Sequence, residues 1–260
     1  MDWMLQSSEK RANPLMIFPE AKSVISLALL YDTPFTHSDS PGIPKISRYA
    51  WGERDYHKVI KKKLKEICIS IEKYLTEAKT KYYVDDGPVM EKSFAVKSGI
   101  GWQGKNTTVI EPEYGSFFFL AEIFIDVELE YDKPIEDMCG SCSLCIQSCP
   151  TGALYDEYKL DSNLCITYHT IENKNEIPDY IDLNNWIFGC DICQDVCPYN
   201  KKKFFTIDKG FYPKQNIFNK TREELLKMTE EEFNKEFTGT PVKRAKHERW
   251  KRNLQITNNK

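Results

Sequence analysis

An α+β fold is what this sequence predicts, on three observations. Residues 23–30 and 116–125 are short runs dense in Ile, Leu, Val and Phe, as strands are. Residues 56–78 repeat their apolar side chains at helical spacing. The strands and helices do not alternate as βαβ units, so helices packed beside hairpin-linked strands are expected rather than a doubly wound sheet.

In chain order, Ser-Val-Ile-Ser-Leu-Ala-Leu-Leu at 23–30 reads as a central strand covered on both faces. Pro34, Pro41, Gly42 and Pro44 then break any regular element before residue 46. The helix over 56–78 has its apolar face at Val59, Ile60, Leu64, Ile67, Ile71, Tyr74, Leu75 and Ala78, with Lys61, Lys62, Lys63 and Lys65 mostly opposite. Cys68 beside that stripe reads as a small core residue. A short strand at 82–84 runs into Asp85-Asp86-Gly87-Pro88, and a helix follows from about Val89 until Gly99 stops it. Gly99-Ile-Gly101-Trp-Gln-Gly104 has dinucleotide-loop spacing, but that loop must leave a strand and open a helix. Here a helix precedes it and a strand, 107–110, follows. The Glu111-Pro-Glu-Tyr-Gly115 turn makes a hairpin with 116–125.

The densest chemistry lies between 139 and 198. Cys139-Gly-Ser-Cys142-Ser-Leu-Cys145-Ile-Gln-Ser-Cys149-Pro150 has C-x2-C-x2-C-x3-C-P spacing, and Cys190-Asp-Ile-Cys193-Gln-Asp-Val-Cys197-Pro198 repeats its second half. Three closely spaced thiolates can reach three irons of one cube, while the cysteine before proline reaches the neighbouring cube. Two 4Fe-4S clusters need eight ligands, and with Cys165 the region supplies that number. The crossing rule puts Cys139, Cys142, Cys145 and Cys197 on one cluster, and Cys149, Cys165, Cys190 and Cys193 on the other. Zinc suits paired C-x2-C knuckles and disulfides suit small secreted chains, but neither explains two Cys-Pro ends.

The chain has 260 residues, 41% of them hydrophobic, and a net charge of -3. No apolar run approaches the roughly 20 residues a bilayer requires, and the first residues carry charges rather than a signal-peptide core. A cytoplasmic protein is expected. The charge is uneven: residues 199–260 hold 16 Lys and Arg against 8 Asp and Glu, whereas residues 1–198 hold 20 against 31. A basic end of this kind suits a polyanion, most simply a nucleic acid, or a solvated tail.

Several segments together resemble the epoxyqueuosine reductase family: Glu9-Lys-Arg-Ala-Asn-Pro14, Arg48-Tyr-Ala-Trp-Gly52 with Asp55-Tyr-His57, Val84-Asp-Asp-Gly-Pro88, Gly99-Ile-Gly-Trp-Gln-Gly-Lys-Asn106 and both cysteine loops. The resemblance implies a nitroreductase-like cobalamin-binding domain over 1–136, a ferredoxin-like double-cluster domain over 137–205 and a short helical basic C-terminus over 206–260. It implies reduction of epoxyqueuosine to queuosine in a tRNA anticodon loop by a monomer, with electrons passing from an external donor through two clusters to cobalamin. Asp85 matches the family's proton donor, with Asp86 the weaker choice; on residues alone, an aspartate before Gly-Pro is equally a turn former. Arg11, Ser47, Val109, Leu120 and Thr167, with Asp85, correspond to cofactor-lining positions. His57 and His169 receive no ligand role.

Family members typically begin with several dozen more residues and often continue into helical repeats that help hold tRNA. Here two capping boxes, Thr221-x-x-Glu224 and Thr229-x-x-Glu232, lead to the basic run 243–252. That run is expected to track tRNA phosphates, unless Trp250 and Leu254 pack it onto the body. A cobalamin-dependent reductive dehalogenase and a two-cluster electron carrier are the rival functions; the first normally carries an export signal, and the second needs no large domain ahead of its cysteines.

Overall fold

The computed structural model describes residues 7–201 and 204–256. These form two compact units. The first comprises the chain up to Leu30, Tyr56–Gly104 and Thr108–Gly140; the second comprises Tyr31–Asp55, Lys105–Thr107 and Ser141 onward.

In the first unit an antiparallel sheet is built from β1 (Ser23–Leu30), β2 (Thr80–Tyr83) and β3 (Phe118–Ile125), with β3 in the middle. Ser23 pairs with Ile125 and Leu30 with Phe118 along one edge of β3; Thr80 pairs with Ile125 and Tyr83 with Glu122 along the other. The 23–30 run is therefore a strand, but an edge strand and mostly half-buried, not the central one expected. Its apolar run resembles that of a central strand because composition cannot report which neighbours a strand acquires. The central place goes to β3, whose last five residues are all buried.

Helix α1 (Tyr56–Tyr74) lies on one face of this sheet, where Tyr56 stacks on Phe119 with ring centroids 4.2 Å apart. Its buried stripe is Tyr56, Ile60, Leu64 and Cys68, so Cys68 is the core residue its neighbours suggested. Ile67, Tyr74 and Leu75 are exposed, which makes the buried face narrower than the apolar pattern. The short helix α2 (Glu91–Lys97) covers the opposite face through Phe94, packed edge-on against Phe124. It ends at Gly99, whose φ of +74° and close approach to the Lys133 carbonyl exclude a Cβ. The glycine run was expected to open a strand over 107–110, but a strand, Trp102–Gln103, already lies inside the run. That strand pairs with Val109–Ile110, so the expected hairpin between 107–110 and 116–125 is only a tight turn joining two different sheets.

The second unit is built round the parallel pairing of Lys45–Ile46 with Trp186–Phe188. Both capping boxes form: Thr221 and Thr229 each accept the N–H of a glutamate three residues on, opening α3 (Arg222–Leu226) and α4 (Glu230–Phe237). Helix α5 (Lys246–Ile256) drives Trp250 and Leu254 into a core of Phe188, Ile217, Leu225, Phe233, Phe237 and Val242. Its arginines support that packing. Arg249 donates to the carbonyls of Ile171 and Arg244, and Arg252 to those of His169, Asn173 and Asn175. The basic run is thus a docked helix, the outcome that Trp250 and Leu254 favoured. Replacing Trp250 with Ala should cost about 3–5 kcal/mol in denaturant unfolding; a loss below about 1 kcal/mol would mean that α5 contributes little to this core.

Candidate active site and cluster loops

The turn after β2 separates the two aspartates that the sequence left adjacent. Asp86 performs the turn's local work: its Oδ1 accepts the Val84 N–H at 3.4 Å, and its Oδ2 pairs with Lys61. Asp85 is held otherwise. Its φ is +51°, a left-handed conformation that Asp tolerates better than most residues. Its Oδ2 accepts the Tyr56 hydroxyl and lies 3.7 Å from His57 Nε2, and its carboxyl is 55% exposed. Tyr56 is fixed from both sides, by Phe119 below and by the His57 ring stacked 4.1 Å away. The unit therefore presents a carboxyl outward, held by a hydroxyl and an imidazole rather than by its own turn. The Asp55-Tyr-His57 pattern was visible in the sequence, but its meeting with Asp85 across α1 and β2 was not.

Beneath this turn lie two more carboxyls. The Glu91 Oε1 accepts the Asp85 N–H at 2.5 Å. Burial pushes Glu91 up to about 7, helped by Asp85 and Asp86 and opposed by the Asp85 N–H and by His57. Glu122, at the centre of β3, is pushed up to about 9 by burial and then by Glu91. Neither glutamate stood out in the sequence.

The remaining cofactor-lining candidates divide between the units. Arg11 donates from Nε to Ser7 Oγ at 3.1 Å and from Nη1 to the Val89 carbonyl at 3.4 Å, which places it at the far end of the Asp85 turn. Val109 is buried, and Leu120 is half-buried opposite Ala28. Ser47 and Thr167 belong to the second unit. Ser47 gives its hydroxyl to Asp191 Oδ1 at 2.5 Å, and Thr167 precedes the wide turn Tyr168–Glu172. An outward carboxyl held in an uncommon backbone conformation fits a group that faces a cofactor or substrate, so Asp85 and Arg11 are compatible with the cobalamin that the resemblance implies.

None of the nine cysteines, all among the described residues, forms a disulfide. In the second unit burial pushes the Cys190 and Cys193 thiols far above the usual thiol range. Cys193 and Cys165 add to this at Cys190, while Cys165, Cys145 and Cys149 do so at Cys193. Cys193 thus has Cys145, Cys149 and Cys165 near it, and Cys190 has Cys165 and Cys193. Soft donors gathered in a place that disfavours bare thiolates fit a metal cluster that supplies the positive charge. At the end of the first unit the Trp102 indole donates to Cys139 Sγ at 3.3 Å, the sort of hydrogen bond that tunes a cluster's potential.

The second cysteine loop is locked by a charge network that sequence reading missed. Asp191 is fully buried; besides Ser47 it accepts the Arg48 N–H at 2.9 Å and Arg48 Nη1 at 3.2 Å. Arg48 Nη1 also reaches Asp195 Oδ1 at 2.5 Å. The signal was present, since Arg48 lies in a quoted motif and Asp191 sits between two ligands, but nothing in the chain order connects them.

Comparison with known proteins shows the family. Residues 11–86 match the family described as "Epoxyqueuosine reductase QueG, DUF1730", and residues 138–200 match "4Fe-4S double cluster binding domain". An epoxyqueuosine reductase of Synechocystis sp. is 43% identical over 259 residues, spanning 98% of this chain and 89% of the relative. The crystal structure of a selenomethionine-labelled epoxyqueuosine reductase superposes with a TM-score of 0.87 at 34% identity, covering 96% of this chain and 68% of that one. An epoxyqueuosine reductase solved with a tRNA-Tyr epoxyqueuosine-modified stem loop gives a TM-score of 0.83 at 34% identity, covering 96% and 67%.

The double-cluster domain should hold about eight iron and eight sulfide per chain after anaerobic reconstitution. Cys165→Ala should lower iron by about half and change the spectrum of one cluster. Full iron in that variant would remove Cys165 from the ligand set. Arg48→Met, which leaves buried Asp191 without its cation, should destabilise the second unit by about 3–5 kcal/mol, measurable by denaturant unfolding.

Proposed function

The chain belongs to the epoxyqueuosine reductase family and is an oxidoreductase of that type, and on that premise we propose that it deoxygenates epoxyqueuosine in a tRNA anticodon loop, with electrons relayed through two 4Fe-4S clusters to cobalamin and a proton delivered by Asp85. The observation that carries this reading is the Asp85 carboxyl, left outward by a turn whose local work Asp86 performs.

Converting an epoxide to an alkene consumes two electrons and two protons and releases the oxygen as water. Cobalamin, when bound, would supply the electron pair at low potential, fed one electron at a time by the clusters. The chain's own residues must supply protons to an oxygen that gains charge as its C–O bonds break. Asp85 is the donor in this reading. Tyr56 orients the carboxyl, and His57, 3.7 Å away, is placed to return a proton from solvent. Arg11, Val109 and Leu120 would line the cobalamin pocket of a nitroreductase-like domain; Thr167 and Ser47, in the second unit, correspond to cofactor-lining positions by resemblance, and the Ser47 hydroxyl and N–H are committed to Asp191 and Phe188. The cluster ligands would be Cys139, Cys142, Cys145 and Cys197 for one cube and Cys149, Cys165, Cys190 and Cys193 for the other.

The tRNA is proposed to lie against basic side chains that packing does not consume. Before α5, Lys243 is engaged with Asn234 and Arg244 with Glu172; on α5, Arg249 and Arg252 are engaged with carbonyls, whereas Lys246 is exposed and Lys251 half-exposed. Phosphate contacts position an RNA while unpaired anticodon bases are read in the pocket.

Asp85→Asn should retain both clusters and cobalamin while losing roughly 10²–10⁴ in turnover, assayed as queuosine formed in tRNA. Turnover within a few-fold of the parent would move the donor elsewhere. Replacing Lys246 and Lys251 by Ala should flatten the log-log salt dependence of tRNA binding by roughly 1.5 units, at about 0.7–0.9 per phosphate lost. An unchanged slope would take α5 out of the tRNA surface.

A further inference from the structure

The middle of β3 carries a residue that its position should exclude. Glu122 is fully buried, it faces Ser26 across one ladder and Tyr83 across the other, and no hydrogen-bond donor meets either carboxyl oxygen. The Ser26 hydroxyl opposite it is also without a partner. The ionisable group beside Glu122 is Glu91, in the first turn of α2. Glu91 in turn accepts the Asp85 N–H at 2.5 Å. Three carboxyls therefore stand in series from the centre of the sheet to the surface.

Two bare carboxylates are disfavoured here, where Glu122 is fully and Glu91 half-buried, because neither offers the other a proton and each raises the cost of ionising its neighbour. One proton placed between them removes both penalties. We propose that Glu122 holds a proton and donates it in a hydrogen bond to Glu91, and that this pair is the positioning device of Asp85. Glu91 then keeps a negative oxygen for the Asp85 N–H, which pins the left-handed turn and with it the direction of the carboxyl. The inference deepens the reading of Asp85 as proton donor and rests on it.

The groups round the pair agree with this assignment. The turn brings Asp85 and Asp86, and α1 brings Tyr56 and His57 to Asp85 and Lys61 to Asp86; β1 and β2 bring the hydroxyls of Ser26 and Tyr83, and β2 also Lys81, which lies over the Tyr83 ring and donates to the Ile17 carbonyl at 2.9 Å. Lys61 is engaged by Asp86, and His57 opposes the upward push on Glu91 without overcoming it. Burial holds Glu91 up to about 7 and Glu122 up to about 9, so the pair carries one proton between those values. Because both acids are raised, the folded state gains from them below the ordinary carboxyl range and loses that gain as pH climbs through about 7 and then about 9.

The test combines infrared spectroscopy with kinetics on the full chain. At pH 8 the protein should show a buried protonated-carboxyl band that fades as pH is raised through about 9 and is missing in Glu122→Gln. Glu122→Met, which fits the apolar site but donates nothing, should lower kcat about ten- to a hundredfold with KM for tRNA little changed. Glu122→Gln, whose amide still donates to Glu91, should recover most of that loss. A missing band, or a band that persists in Glu122→Gln, overturns the proposal, as does a Glu122→Met enzyme with the kcat of the parent. If Asp85→Asn proves active while the Glu122 band is present, the donor assignment fails and the shared proton stands.

Discussion

A fully buried carboxylate inside a cysteine loop sets the terms for the second unit. Asp191 cannot sit between Cys190 and Cys193 without donors of its own, since an unpaired buried charge costs several kcal/mol. Ser47 and Arg48 provide three hydrogen bonds, one from a hydroxyl, one from backbone and one from a guanidinium. Their demand explains why residues 31–55, so rich in proline, join the cluster unit rather than the sheet they follow in sequence. Ser47 N also donates to the Phe188 carbonyl at 2.8 Å, so the same segment extends the parallel pairing. A loop meant to hold a redox centre must hold its shape when the centre's charge changes. A network of fixed charges does this better than apolar packing alone, because hydrogen bonds fix direction as well as distance and polarise one another.

How much was legible follows from the range of each interaction. Local signals were read well: β1 has its expected bounds, Cys68 is in the core, Gly99 ends a helix, and both capping boxes close as Thr221 and Thr229 announced. Long-range pairing was not. A run such as 23–30 states that it is a strand but not that residue 125 lies beside residue 23. The hairpin expected at 111–115 failed for the same reason, since turn chemistry fixes a reversal of the chain but not the strand that the returning segment will pair with. In α1 the apolar pattern overstated the buried face, because Ile67, Tyr74 and Leu75 satisfy the helical period yet face outward.

The site divides along the same line. The cysteine loops were readable because cluster ligation is written as short spacing. Asp85 could be singled out only through resemblance, and its neighbours only through the fold. Tyr56 and His57 reach it from a helix and Glu91 from the next helix, with Glu122 of the central strand behind Glu91. Glu122 in particular was hidden within Phe-Phe-Phe-Leu-Ala-Glu-Ile-Phe-Ile, where a single acid in a strand ordinarily marks a solvent-facing position. Only the finding that both faces of β3 are covered makes it anomalous.

The two units thus handle charge in opposite ways. In the cluster unit a buried acid is paired with a guanidinium, Arg48 Nη1 lying 3.2 Å from Asp191 Oδ2. In the first unit Glu122, fully buried, and Glu91, half-buried, have no ion-pair partner among the described residues, and the proton takes that part. A proton bound in this way can be exchanged, whereas a guanidinium cannot be titrated. Reduction of an epoxide needs both behaviours at once: electron carriers whose surroundings do not change as they are reduced, and acids whose protonation can. The carboxyls beneath Asp85 lie where the second requirement falls, and the arginine-bound carboxylate lies where the first does.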